Sequence, residues 1–219
     1  MKAVLWDMDG VLIDSERYYW QEMDALYEGM GVFLPHDKKV TFVGSSAMIN
    51  TGKVKNWYPD LKYTAEELCE LHVAALIRGL KRVTEIIPGA RRWVDALHAK
   101  GIKSAVATSS VGEMLDYARS TFKLDDIFDT IVTGSDVPRA KPNPDIFLEA
   151  ARRCGAEPSE CVVIEDSQNG VLAAHAAGIK VAVFTGAPGL KGAPIPEGGD
   201  FYFDDYNDAA FESVQKLSI

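Results

Sequence analysis

Residues 3–14 read AVLWDMDGVLID. The apolar run Ala3 to Trp6 breaks abruptly into Asp7, Met8, Asp9 and Gly10. An apolar run with no polar alternation fits a strand buried on both faces, as in a parallel sheet. Two carboxylates one residue apart at the end of such a strand repel each other and lose hydration. Something at that position has to offset the cost.

The pattern further along the chain supports the strand. Residues 102–110, 127–136, 161–167 and 179–186 are further apolar runs, and 201–203 is a short one. Helical patterns separate them at 88–101, 110–122, 143–155 and 169–178, and a terminal helix starts near Asp208. Ser110 with Glu113 reads as a capping box for the second of these, and Asn143 as N-cap with Pro144 at the first position opens the third. Strands alternating with helices predict a doubly wound parallel α/β sheet. The rhythm fails between 15 and 83. That stretch has a helical pattern from Ser15 to about Met30, an irregular segment over 32–60, and a capping box, Thr64 to Glu67, opening a helix to about Arg82. The expected organisation is a discontinuous core, residues 1–14 and 84–219, with residues 15–83 inserted as a helical domain.

Composition narrows the function. The 219 residues hold 23 Lys and Arg against 32 Asp and Glu, a net charge of −9. That balance argues against nucleic acid and anionic membrane surfaces as main partners. No segment has the length and apolarity of a membrane span. Cys69, Cys154 and Cys161 show no zinc or redox spacing and read as reduced thiols. With no signal-peptide pattern before the first strand, a cytoplasmic compartment is expected. A monomer is the default expectation.

In an open parallel sheet, ligands bind beyond the carboxyl ends of the strands. Those ends carry Asp7 and Asp9; Thr108, Ser109 and Ser110; Gly134, Ser135 and Asp136, with Lys141 just beyond; and Glu165, Asp166 and Ser167. An acidic cluster of this kind is stabilised by a hard divalent cation, and Mg²⁺ suits few carboxylates completed by water and substrate oxygens. Mg²⁺ beside hydroxyls and a lysine is a phosphate-handling set.

The segments DMDGVLID (7–14), VATSS (106–110), RAKPNPDIF (139–147) and VIEDSQNG (163–170) resemble, in order, the four motifs of the haloacid dehalogenase superfamily. The helical insert after the first motif resembles the cap of the subgroup containing β-phosphoglucomutase and small sugar-phosphate phosphatases. The resemblance implies a Rossmann-like core with an α-helical cap domain. It makes Asp7 the nucleophile and Asp9 the general acid and base. Thr108, Ser109, Gly10 and Lys141 become phosphate or substrate contacts, and Lys141 a catalytic charge. Asp7, Asp9 (through its carbonyl), Asp166 and Glu165 become Mg²⁺ ligands. Asp9 also separates the chain from the dehalogenases proper, which lack the second acid. The implied activity is Mg²⁺-dependent hydrolysis of a small phosphorylated metabolite, a sugar phosphate foremost, through an aspartyl-phosphate.

Two alternatives stay open at this point. A β-phosphoglucomutase shares the core chemistry, but its pattern carries a histidine where this chain has Tyr19 in DSERYY. A phospho-receiver signalling module also combines acids, a hydroxyl, a lysine and Mg²⁺, although it has no room for a helical insert of this size. Ser15, Asp14 and Ser110 read as helix caps. Arg17, Tyr18, Tyr19 and the VGSS segment at 43–46 are expected to face the leaving group. The four histidines show no metal spacing and receive no role.

Overall fold

The computed structural model describes residues 1–217 except Gly44 and Val111. The segment 43–46 and the 110–113 capping box therefore each contain one residue outside the described set. Among the described residues six strands form one sheet: β1 (Ala3–Trp6), β2 (Lys103–Thr108), β3 (Thr130–Thr133), β4 (Cys161–Glu165), β5 (Lys180–Phe184) and β6 (Phe201–Phe203). All pairings are parallel, in the order β3-β2-β1-β4-β5-β6. The direction of winding reverses between β1 and β4, which makes the crevice beyond their carboxyl ends the topological switch point.

Alternate side chains of each strand leave on opposite faces. Ala3 and Leu5 pack with Ala105, Val163, Val181 and the helices α8 (Asp145–Arg153) and α9 (Gln168–Ala176). Val4 and Trp6 pack on the other face with α5 (Ala90–Ala99) and α10 (Asp208–Gln215). There Trp6 meets Trp93 edge-on at 6.5 Å and Tyr206 stacked at 6.2 Å. The core continues past the strand into the acidic loop. Met8, Val11, Leu12 and Ile13 are fully buried. Burial of each contributes about 1.5–3 kcal/mol, which anchors a loop carrying two acids. The Tyr206 hydroxyl donates to the Val11 carbonyl (2.9 Å), and the Ile87 amide donates to the Leu12 carbonyl (2.7 Å).

Between β1 and α5 lie α1 (Glu16–Gly29), α2 (His36–Lys39), α3 (Ala47–Trp57) and α4 (Ala65–Leu80). Helix α4 packs against both α1 and α3. The Thr64 capping box forms: the Glu67 amide donates to Thr64 Oγ1 (3.1 Å), and the Thr64 amide donates to Glu67 Oε2 (2.9 Å). The segment expected to be irregular, 32–60, instead contains α2 and α3. Helix α3 buries Asn50 and Thr51 beside Val54, so its inner face is not apolar and its period is blurred. Its N-cap is Ser46, whose hydroxyl accepts from the Ile49 amide.

Two expected caps are replaced. Helix α6 (Glu113–Phe122) has Gly112 as N-cap, and α8 has Pro144 rather than Asn143. A further short helix, α7 (Leu124–Ile127), follows α6 and takes Ile127, which the sequence pattern assigns to the third strand. Among the described residues no helix is long and apolar enough to cross a membrane, and no cysteine is in a disulfide.

Candidate active site

Lys141 is the hub. Its side chain is 3% exposed, and Nζ donates to Asp7 Oδ1 (2.6 Å), Glu165 Oε1 (2.7 Å) and the Ala107 carbonyl (3.1 Å). An ammonium has three donors, and all three are used. Burial alone would lower its pKa, but the attraction of Asp7 and Glu165 raises it above the ordinary lysine value.

Glu165, at the end of β4, is held on its other oxygen as well. Oε2 accepts from the Asp166 amide (2.8 Å), the Ser167 amide (2.8 Å) and Ser167 Oγ (2.9 Å). Ser167 in turn caps α9 by accepting from the Gly170 amide (3.1 Å). Four donors thus fix Glu165, which braces Lys141 from below. Gly170 makes room for it, since a Cβ there would overlap the Glu165 carboxylate.

Asp7, Glu165 and Asp166 are buried and place one carboxylate oxygen each within 4.8 Å of the others. Three carboxylates against one ammonium leave two negative charges, which a divalent cation cancels. Burial first, and then the neighbouring charges, disfavour the ionised carboxyls. Burial pushes Asp7 up to about 7; Lys141 opposes the shift, and Glu165 and Asp9 add to it. Asp166 is raised well above the carboxylate range by burial, then by Glu165, Asp7 and Glu16. Glu16, on the first turn of α1, is pushed up to about 8 by burial and by Asp9, Asp14 and Asp7. An all-oxygen, carboxylate-rich donor set of this size fits Mg²⁺.

Asp9 stands apart from that group. Its Oδ1 accepts from Ser15 Oγ (2.6 Å) and the Tyr19 hydroxyl (3.0 Å), and its Oδ2 accepts from Ser110 Oγ (2.8 Å). Burial first, then the charges of Asp9 and Glu16, keep Tyr19 protonated and therefore a donor. Ser15 and Ser110, read from sequence as caps, spend their hydroxyls here instead. Asp14 is likewise no cap: its Oδ1 accepts from the Gly189 amide (2.9 Å). Sequence carries one signal for this arrangement, namely that a hydroxyl-bearing tyrosine occupies the place of the mutase histidine.

Thr108 is buried and accepts from the Ser110 amide (3.0 Å), so its own hydrogen is available to a ligand. Gly10, expected as a phosphate contact, does not line the cavity. It has a φ of +76°, and a Cβ there would overlap Asp166 Oδ2. Its contribution in this structure is to let the loop pass close to Asp166.

A cavity of about 660 Å³ opens above these groups. Asp7, Asp9, Thr108, Ser109, Lys141 and Asp166 form its floor, and residues of α1, α3 and α4 form the facing wall. Tyr19 faces it, whereas Arg17 and Tyr18 do not line it. His72, given no role from sequence, lines it too. The Tyr27 hydroxyl pairs with its Nδ1 (3.0 Å), and burial lowers its pKa to about 4.

Comparison with known proteins identifies the family and the fold. A family model for haloacid dehalogenase-like hydrolases matches residues 1–178. Hexitol phosphatase B of Escherichia coli strain K12 is 29% identical over 197 residues, covering 88% of this chain and 86% of the relative. The phosphorylated carbohydrates phosphatase of Thermotoga maritima is 32% identical over 187 residues, covering 82% and 83%. The crystal structure of β-phosphoglucomutase from Clostridium difficile superposes with a TM-score of 0.81 at 21% identity, covering 100% of this chain and 97% of that one. At that identity the last likeness speaks for the fold.

Proposed function

The chain belongs to the haloacid dehalogenase-like hydrolases, and from that premise we propose that it is a Mg²⁺-dependent phosphatase acting on a small phosphorylated metabolite, with residues 15–83 serving as the lid. The observation that carries this reading is the pairing of two differently held acids on one cavity floor. Asp7 is fixed by a buried ammonium, and Asp9 is fixed by three hydroxyls. The activities named for the two relatives put carbohydrate monophosphates first among substrates to try.

The steps assign one task to each group. An Asp7 carboxylate oxygen attacks phosphorus. The bond to the leaving oxygen breaks, and Asp9 gives that oxygen its proton. Water then attacks the aspartyl-phosphate, Asp9 takes a proton from it, and the Asp7–phosphorus bond breaks to release phosphate. Lys141 keeps Asp7 from rotating and sets a positive charge beside the incoming anion. The Thr108 hydroxyl donates to a non-bridging oxygen. Asp7, Asp166 and the Asp9 carbonyl would hold the Mg²⁺, with Glu165 next to them. Bound there, the ion offsets charge on the phosphoryl oxygens. Tyr19 and Ser15 keep Asp9 turned toward the leaving group, and the wall above excludes water.

The test is phosphate release from p-nitrophenyl phosphate with Mg²⁺ and after chelation. Turnover that needs Mg²⁺ and vanishes in Asp7→Asn supports the proposal. Undiminished activity in Asp7→Asn sinks it. Conversion of β-glucose 1-phosphate to glucose 6-phosphate without phosphate release would select the mutase reading instead.

A further inference from the structure

The wall facing the phosphate floor has an unusual chemistry for a sugar-phosphate site. Met23, Phe42, Met48, Ile49, Val73 and Leu76 dominate it. Met48 and Ile49 are large apolar side chains at least half exposed, so they offer uncovered surface to a ligand. Among the described residues no arginine lines the cavity, and its single lysine is Lys141, already bonded to Asp7, Glu165 and Ala107. Gly44, Val111, Ser218 and Ile219, the residues outside the described set, are uncharged.

Several cations of the lid are engaged outside this cavity, and Arg17 does not line it. Arg78 and Arg82 pair with Glu22, and Lys39 pairs with Asp24. Lys53 lines an adjoining cavity of about 400 Å³ and donates to the Thr41 carbonyl. His72, with its pKa near 4, is neutral at pH 7. Glu16 adds a further acid to the cavity wall. A second anionic group on the ligand would therefore meet no counter-ion there.

Polar partners on that wall are few. Ser46 Oγ accepts from the Ile49 amide, which leaves its hydrogen to a ligand, His72 Nδ1 pairs with Tyr27, and Ser45 lines the wall as well. Asn50 differs from these in carrying a buried acceptor. It is 4% exposed and lines the cavity; its Nδ2 donates to the Phe42 carbonyl (3.3 Å), and its Oδ1 has no partner. A buried acceptor without a donor is costly, and a ligand N–H or O–H relieves it. A fully hydroxylated leaving group, by contrast, would set some of its hydroxyls against Met23, Phe42, Met48 and Leu76.

We infer that the substrate is a monophosphate whose leaving group carries no second charge and turns an apolar ring toward α3 and α4, with one donor received by Asn50. This rests on the phosphatase reading above and narrows it. Among carbohydrate monophosphates it selects ring-substituted ones over bare polyols, bisphosphates and phosphorylated acids. Volume permits this, since cavities of this size hold a ring system together with the phosphate.

The experiment measures kcat/KM of the full chain in saturating Mg²⁺ on matched compounds. Phenyl β-glucoside 6-phosphate should exceed methyl β-glucoside 6-phosphate by at least roughly tenfold, from the area of the added ring. Glucose 1,6-bisphosphate and 2-phosphoglycolate should each fall at least about tenfold below the methyl glucoside ester, because the second charge is desolvated without a partner. Leu76→Lys, which sets a cation on the half-buried wall, should raise the ratio of bisphosphate to methyl glucoside ester. Equal rates for the phenyl and methyl compounds, or undiminished hydrolysis of the bisphosphate, would overturn the inference. Mg²⁺-dependent turnover of p-nitrophenyl phosphate, lost in Asp7→Asn, separates that failure from a failure of the phosphatase reading. If this control fails, both are overturned.

Discussion

Lys141→Met is the sharpest test of how the acidic floor is held together. The substitution keeps the apolar stem but removes the charge that lies 2.6 Å from Asp7 and 2.7 Å from Glu165. With the side chain 3% exposed, water cannot replace it. Breaking a buried pair from one side costs about 3–5 kcal/mol, because the remaining charges stay desolvated. Here two carboxylates lose the same partner and Asp166 stands beside them, so the loss in the absence of metal should lie near the upper end. Mg²⁺ neutralises the same cluster, so a saturating concentration should recover part of that loss. The assay is urea unfolding at pH 7, for wild type and variant, with Mg²⁺ and with chelator. The same variant should lose at least about a hundredfold in kcat, in line with removal of one preorganised donor to a charged transition state. Arginine should not rescue it, since a planar guanidinium cannot reach Asp7, Glu165 and the Ala107 carbonyl from one point. A variant within about 1 kcal/mol of wild type under chelation refutes the reasoning, as does a loss that Mg²⁺ leaves unchanged.

Three further outcomes follow from single contacts. Tyr19→Phe deletes the longer of two hydroxyl bonds to Asp9 Oδ1 and leaves Ser15 at 2.6 Å; a loss of about 1.5 kcal/mol lowers kcat about tenfold with KM nearly unchanged, and a parental kcat would contradict it. Gly170→Ala drives a Cβ into the Glu165 carboxylate; thermal or urea unfolding should show a loss of about 2–3 kcal/mol, and an unchanged midpoint would count against the brace. His72 has a folded pKa of about 4 against 6.5 for the free side chain. Below pH 6.5 the unfolded chain binds a proton that the folded chain refuses until about pH 4. Stability therefore falls across that window by up to about 3 kcal/mol. Comparing wild type with His72→Gln at pH 7 and pH 4.5 reads this, and identical pH slopes would exclude it.

The sequence by itself determined the architecture of the sheet and the inventory of its acidic edge. Apolar runs such as Ala3–Trp6 and Cys161–Ile164 are strands because only burial on both faces tolerates them. A parallel sheet then delivers every residue that follows a strand to one edge, so Asp7, Thr108, Lys141 and Asp166 were legible as neighbours despite their separation in the chain. Helix α3 was not legible, because Asn50 and Thr51 on its inner face erase the apolar period that identifies a buried helix.

Tertiary structure alone decided which group holds which. Ser15 and Tyr19 come from α1 and Ser110 from the loop after β2, 101 residues from Asp9, and no local pattern links them. Each has an adequate local reading as a cap or a packing residue, and only the docking of α1 over the sheet edge gives its hydroxyl a carboxylate. Glu165 reads as a metal ligand from its place in the motif and lies in the carboxylate cluster with Asp7 and Asp166; what only the fold adds is that it accepts from Lys141 and from the start of α9. The apolar wall belongs to the same class: Met23, Phe42, Ile49 and Leu76 lie on separate elements, and only packing turns them into one surface facing Asp7 and Asp9.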